Sequence, residues 1–289
     1  MSAPNRSPAV SHAPLRPLRE TDLATAHRLS KALQWPHRLE DWQCLFHTAE
    51  GLVLEDDQGV FGTGFCVPQG DYATIGLVIV ADSHQGQGHG RRLMDGLLQL
   101  AGNRTPLLVA TQRGAPLYRS QGFASYEHIY QHQIAALPAM GSPHPLEEQV
   151  RTLTLADAPQ LETLAQAATG LDRTALLREL LPQAERIVGL ERSGELRGFA
   201  LLRPFGRGLS VGPVVAESTE QAKALSLALL RHAEGRYVRF DVTARGALGP
   251  WLIDLGIPQV DEVEQMAKGT PPEPRDGLDQ FALLTQALG

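Results

Sequence analysis

The chain has 289 residues, 32 of them acidic against 26 basic, and no run of Lys and Arg forms a stripe, so the electrostatic footprint of nucleic-acid binding is missing. Its length suits two domains of ordinary size, each able to bury a core of its own. Cys44 and Cys66 have neither disulfide nor metal-ligand spacing and fit a reducing cytoplasm, and no uncharged apolar run reaches the roughly 18 residues that a membrane helix needs.

Residues 1–13, mixing Pro, Ser and Ala, lack the apolar core of a signal peptide and read as a disordered tail. From Arg16 to Asp22 the chain enters a stretch with Leu at helical spacing, and Trp35-Pro-His-Arg38 with Asp41-Trp42 follows in a loop-to-helix region. Leu54-Glu55, the turn Asp57-Gln58-Gly59 and then Gly62 read as a hairpin. Thr74 to Val80 is a β-branched run typical of a buried strand. After the loop Gln85-Gly-Gln-Gly-His-Gly90, Leu93, Met94, Leu97, Leu98 and Ala101 recur at helical spacing. Leu107 to Thr111 reads as a second buried strand, followed by Pro116-Leu-Tyr118 and Gly122-Phe123; the breakers from Leu137 onward mark a linker over 137–149.

The second half repeats the first. Arg16 to Asp22 is echoed by Arg151 to Asp157, Leu54-Glu55 by Leu190-Glu191, Val80-Ala81-Asp82 by Val215-Ala216-Glu217, and Gln121-Gly122-Phe123 by Leu255-Gly256-Ile257. The offset stays near about 135 residues, as a duplication produces. The pattern predicts an α+β fold with a mixed, mostly antiparallel sheet in each half, over 14–136 and 150–289.

The glycine loop sits at a strand-to-helix junction. Gly86, Gly88 and Gly90 leave main-chain N–H groups unscreened at the positive end of a helix, where a phosphate or pyrophosphate is the natural ligand, and Arg91 and Arg92 in the first turn favour a negative neighbour. The spacing departs from the dinucleotide fingerprint, and the Gly-Lys-Ser/Thr of the P-loop is missing. What remains, Val80 with Gln85 to Gly90, resembles the coenzyme A loop of the GNAT superfamily of N-acetyltransferases, with Asp82 in place of the usual Pro. Pro116-Leu-Tyr118-Arg-Ser-Gln-Gly122-Phe123 resembles a second motif of that family, with Gly114 where Ala is commoner and Thr111 where Asn often contacts the pantetheine arm.

The resemblance implies two tandem GNAT-like domains, each a twisted sheet flanked by helices, of which the first is catalytic. It implies acetyl-coenzyme A bound by Val78, Ile79, Val80, Gln85, Gly86, Gln87, Gly88, His89, Gly90, Arg91 and Thr111, and Tyr118 protonating the leaving thiolate. The acceptor is then a small-molecule or peptide amine met in a ternary complex, in a cytoplasmic monomer or homodimer needing neither membrane, metal nor nucleic acid. A binding module that senses acyl-coenzyme A without turnover is the other reading.

An alkyl amine is neutral in only about one molecule in a few thousand at pH 7, so a base is needed or the acceptor is less basic. Candidates are His37, Asp41, Glu127 and His128, and Trp35 and Trp42 lie where family members line an acceptor pocket. In the second half the loop position carries Glu217 and Glu220 and no glycine, and Leu252 stands where Tyr118 should recur, so this copy is expected to keep the fold and lack the coenzyme. Arg203, Asp241, Arg245 and Trp251 are its candidates for a cleft between the halves.

Overall fold

The computed structural model describes residues 13–141, 145–146 and 149–289. The first half runs β1 (Leu15–Pro17), α1 (Leu23–Ala32), α2 (Leu39–Thr48), β2 (Glu50–Asp56), β3 (Gly59–Gln69), β4 (Tyr72–Val80), α3 (His89–Ala101), β5 (Thr105–Ala110), α4 (Ala115–Ser120) and β6 (Ala124–Ile134). The second runs β7 (Val150–Thr152), α5 (Ala158–Thr169), α6 (Thr174–Leu180), β8 (Arg186–Arg192), β9 (Glu195–Phe205), β10 (Gly208–Ala216), α7 (Thr219–Leu230), β11 (Val238–Thr243), α8 (Leu248–Asp254), β12 (Gln259–Ala267) and β13 (Asp279–Ala282). The expected tail lies outside the described residues up to position 12, as do 142–144 and 147–148 of the expected linker. Ala13 is buried, and Leu137 and Met140 pack into the core of the second half.

The repeat has a physical origin at the start of each half. Arg16 donates to both oxygens of Asp22 at 2.7 and 3.0 Å and reaches Glu55 on β2. Arg151 likewise bonds Asp157 at 3.0 Å and Glu191 on β8 at 2.6 Å. Each guanidinium thus fastens a short first strand to its neighbour and to the turn that starts the first helix, a geometry that the planar fork of arginine suits.

Among the described residues the strands form one sheet in the order β1-β2-β3-β4-β5-β12-β6-β11-β13-β10-β9-β8-β7. Pairings β4–β5 and β10–β11 are parallel, and the rest are antiparallel. The sixth strand of each half has crossed to the other. β6 pairs along β11, from Thr243–Ile129 to Val238–Ile134, while β12 pairs along β5, from Glu264–Ala110 to Ala267–Leu107. The crossing strands also pair with each other. The two repeats are therefore joined as one sheet.

On one face of the first half, α3 lays Leu93, Met94, Leu97 and Ala101 against Leu54, Ile75 and Leu108. On the other, α1 and α2 form a core that also takes Leu176 and Leu180 of α6, with Leu284 and Leu288 from the segment after β13. Burying such leucines contributes about 2 kcal/mol each, together comparable to the net stability of a domain. No helix among the described residues is long and apolar enough to cross a membrane.

Candidate active site

The parallel pair β4–β5 keeps register only from Tyr72–Thr105 to Ile75–Leu108. Beyond that point β4 bulges: Gly76 pairs with Phe65 and Ile79 with Thr63, so Leu77 and Val78 together oppose Gly64. Leu77 carries φ 49°, a left-handed conformation uncommon outside glycine, and the extra residue turns the strand away from its neighbour. The gap opens on a cavity of about 280 Å³ lined by Val78, Ile79, Val80, Gln85, Gly86, Gly88, His89, Gly90, Thr111 and Tyr118.

Gly86 and Gly88 hold φ values of 74° and 84°, and Gly88 is the N-cap of α3. A Cβ on either would meet nothing within 4 Å, so these glycines serve the backbone conformation and leave open surface before a helix N-terminus. Gln85 braces the loop by donating to Val80 O at 2.9 Å and Asp82 Oδ1 at 2.8 Å, and it accepts a bond from Arg113. Arg113 also lines the cavity, with its side chain 70 % exposed and Asp82 3.6 Å away. Nothing in the sequence marks this cation, because only the packing of the β5–α4 turn against the loop brings it there.

The ring of His89 packs edge-on to Phe61, at 5.0 Å, and loss of solvent lowers its pKa. Two expected residues lie outside the lining. Gln87 is exposed and reaches Ser83 O at 3.5 Å, and Arg91 points away to Ser120 Oγ at 2.9 Å, as its place on the outward side of the first helical turn requires.

Tyr118, on α4, is buried edge-on against Phe123 at 6.2 Å, and burial pushes its phenol up to about 12. It is fully protonated at neutral pH. Thr111 Oγ1 accepts a bond from Gly114 N at 3.2 Å and so helps start the helix that carries it.

A second cavity, of about 330 Å³, adjoins the first and shares Trp35, Gly76, Leu77, Val109 and Thr111 with it. His37, Gln131 and Gln133 line it from the first half, and Phe205, Arg207, Tyr237, Arg239, Asp261 and Gln286 from the second. The β4 bulge is thus the shared wall. His37 stands edge-on to Phe205 at 5.4 Å, its Nδ1 is buried without a hydrogen-bond partner, and loss of solvent pulls its pKa down to about 4.

Models of the acetyltransferase (GNAT) domain match residues 47–125 and 161–282, one in each half. The chain belongs to the GNAT acetyltransferases. It is 28% identical over 223 residues to the uncharacterized N-acetyltransferase YitH of Bacillus subtilis, covering 76% of this chain and 78% of that one. A putative acetyltransferase from Pyrococcus horikoshii shares the fold over 100% of both chains, with TM-score 0.75 and 18% identity. A tandem GNAT protein from the clavulanic acid biosynthesis pathway matches with TM-score 0.62 and 16% identity, over 90% of this chain and 99% of that one.

Several side chains expected at the GNAT acceptor site have other partners. Asp41 caps α2 through Arg38 N at 2.8 Å, pairs with the Arg38 guanidinium at 3.0 Å and lies 3.8 Å from Arg203; it lines only a void of about 10 Å³ beside His37. Trp42 is wholly buried, edge-on to Phe65 at 5.7 Å, because its side of α2 packs on the sheet. Glu127 pairs with Arg245 at 3.0 Å in a separate pocket of about 60 Å³, and His128 pairs with Glu262 at 2.8 Å. Of the second-half candidates, Arg203 bonds Leu284 O at 2.9 Å, Asp241 clamps Arg239 at 2.8 and 3.0 Å, and Trp251 packs on the core. Trp35 and His37 alone of the expected acceptor residues line the larger cavity, and its second-half walls come from Phe205, Arg207, Tyr237, Arg239 and Gln286, which carry no motif.

The second GNAT half closes the gap that the first leaves open. β10 and β11 pair in parallel only at Leu209–Val238 and Ser210–Arg239; beyond this, β13 enters between them, with Ala282 against both Val214 and Val242. The start of α7 is satisfied internally: Ser218 Oγ accepts from Gln221 N, and Glu217 is held by Arg192 at 3.3 Å and by Gln221.

Proposed function

We propose that this GNAT protein moves the acetyl group of acetyl-coenzyme A onto an amine by direct attack, with both substrates held at once. The observation that carries this is the meeting of two cavities at the β4 bulge, with the Tyr118 phenol in the wall of one of them. The coenzyme belongs in the β4–β5 gap, its pyrophosphate at the main chain of Gly86 to Gly90 with Arg113 beside it, its pantetheine arm along Val78 to Val80 and past Thr111. The acceptor belongs in the larger cavity. Residues 14–136 then form the catalytic unit, and 150–289 the partner whose own gap is filled by β13.

Amine attack on a thioester puts negative charge first on the carbonyl oxygen and then on the departing sulfur. Main-chain donors aimed at such an oxygen contribute about 3 kcal/mol each. The bulge at Leu77 and Val78 frees main-chain groups of β4 from strand pairing on the β5 side and turns them toward the gap. Tyr118, with its pKa near about 12, stands above an ordinary thiol near about 8.5, so its hydroxyl stabilises the thiolate by donating a hydrogen bond rather than by surrendering its proton outright. His37, with a pKa of about 4, is too weak to strip an alkylammonium by about six powers of ten, so the amine loses its proton to water and His37 lines the acceptor cavity as a neutral ring.

The test is to mix the protein with acetyl-coenzyme A and a broad amine panel while following free thiol and acetylated product by mass spectrometry. Product from at least one amine, at a rate set by protein concentration, is expected. Tight coenzyme binding with no amine-dependent thiol would instead favour the sensor.

A further inference from the structure

The charges around the larger cavity point to what the acceptor carries besides its amine. Arg207 is exposed on its wall and has no carboxylate partner among the described residues. Arg239 is buried, and Asp241 takes its Nε and Nη2, which leaves Nη1 without a protein acceptor among the described residues. The guanidinium is held at a fixed angle by that fork and by the Phe205 ring, 5.4 Å from its carbon. Asp241 compensates the charge of Arg239, so Arg207 is the cation of this wall without a carboxylate partner among the described residues, and the one lining carboxylate is the exposed Asp261, one oxygen of which accepts from Glu262 N at 2.8 Å. His37 is neutral, and the rest of the polar lining is amide and phenol: Gln131, Gln133, Tyr237 and Gln286. A polycationic amine would find only Asp261 to pair with on this wall and would leave Arg207 and Nη1 of Arg239 without an acceptor.

We propose that the acceptor is an amine that also bears an anionic group, a carboxylate above all, gripped by Arg207 and Nη1 of Arg239 while the amine faces the bulge at Gly76 and Leu77. The inference rests on the acetyl-transfer reading and adds the substrate class. The amine lies at the wall shared with the coenzyme cavity, and the anion lies toward the second half. The second half thereby acquires a role in recognition, since β11 and the β9–β10 turn supply the two arginines.

The experiment compares kcat/KM for matched acceptors: an amino acid and its carboxamide, phosphoethanolamine and ethanolamine, and putrescine. The carboxamide holds the less basic amine, so intrinsic reactivity at neutral pH favours it over the acid, and any preference for the acid comes from the site. The acid is expected to exceed its carboxamide by about ten-fold or more, the contribution of one charge-assisted bond. Arg207→Ala should erase that margin through KM with acetyl-coenzyme A affinity unchanged, Arg207→Lys should keep part of it, and a preference for phosphoethanolamine over the carboxylates would name phosphate as the anion. Thiol release that is faster with putrescine or carboxamides, or an Arg207→Ala variant that keeps the margin, overturns the substrate class and leaves acetyl transfer standing. No thiol release with any amine overturns acetyl transfer, and this inference with it.

Discussion

Gly114 lies under the ring of Tyr118: a Cβ built on Gly114 would stand 2.9 Å from Tyr118 Cε2. Gly114 has a helical backbone, φ −82° and ψ −29°, which Ala adopts freely, but the added Cβ must push the buried Tyr118 ring aside, so Gly114→Ala should lower stability by about 1–3 kcal/mol. The displaced ring should also lower kcat several-fold. A thermal melt beside initial rates checks both, and an Ala variant at full kcat would show that catalysis does not depend on the ring position.

Tyr118→Phe keeps the ring and its packing on Phe123. Since the phenol sits near about 12, the loss is that of a hydrogen bond to a developing thiolate, and kcat should fall by about 10- to 100-fold with little change in KM for acetyl-coenzyme A. The wild-type profile should show no ionisation of this group between pH 6 and about 9. Wild-type kcat in the variant, where chemistry limits the rate, would make Tyr118 a packing residue only.

Gly88 has φ 84°, which a β-branched residue adopts only at about 1–2 kcal/mol or more. Gly88→Val should therefore distort the loop and abolish acetyl-coenzyme A binding. The wild-type chain should bind one equivalent, because β13 fills the corresponding gap in the second half. Titration calorimetry giving two equal sites, or unchanged affinity in Gly88→Val, would contradict these assignments.

Acid should weaken the fold through His37. Its folded pKa of about 4 lies below the ordinary histidine value of about 6.5, so the unfolded chain binds more protons between those values. Stability is whole above about pH 6.5 and drains as pH falls toward about 4, by at most about 3 kcal/mol and by less to the extent that cavity water reaches the ring. Urea midpoints from pH 7.5 to 4.5 should drop less steeply in His37→Gln. His89 and His132 are lowered too, so the difference between variant and parent, not the parent slope alone, carries the test.

Because β12 lies between β5 and β6, a first half expressed alone lacks the strand that covers both. Residues 1–140 should be insoluble or unfolded by themselves. Co-expression with 141–289 should restore a soluble, helix- and sheet-rich complex through the reciprocal pairing of β6 with β11 and β12 with β5. A soluble, cooperatively melting 1–140 fragment would show that the crossing is dispensable.

Features that rest on local spacing are legible in the residues alone. Glycines at alternate positions between a β-branched run and an amphipathic helix specify the turn at Gly86 and Gly88, and Arg16 with Asp22, repeated as Arg151 with Asp157, specifies the duplicated entry into each half. Those signals sit within a few residues of one another, where the backbone leaves few solutions. The remainder depends on how the chain packs. β6 and β12 are alike enough in pattern to pair in either half, and only the assembled sheet shows that each has crossed over. Trp42 and Asp41 resemble pocket residues because they stand near Trp35 and His37 in the chain, yet α2 turns one into the core and uses the other as its cap. The converse holds for Arg207, Arg239 and Gln286, which the sheet brings from far along the chain to the cavity that His37 lines. Adjacency across strands and through the segment after β13 depends on register and packing, and no residue pattern in one repeat records which side chains of the other will face it.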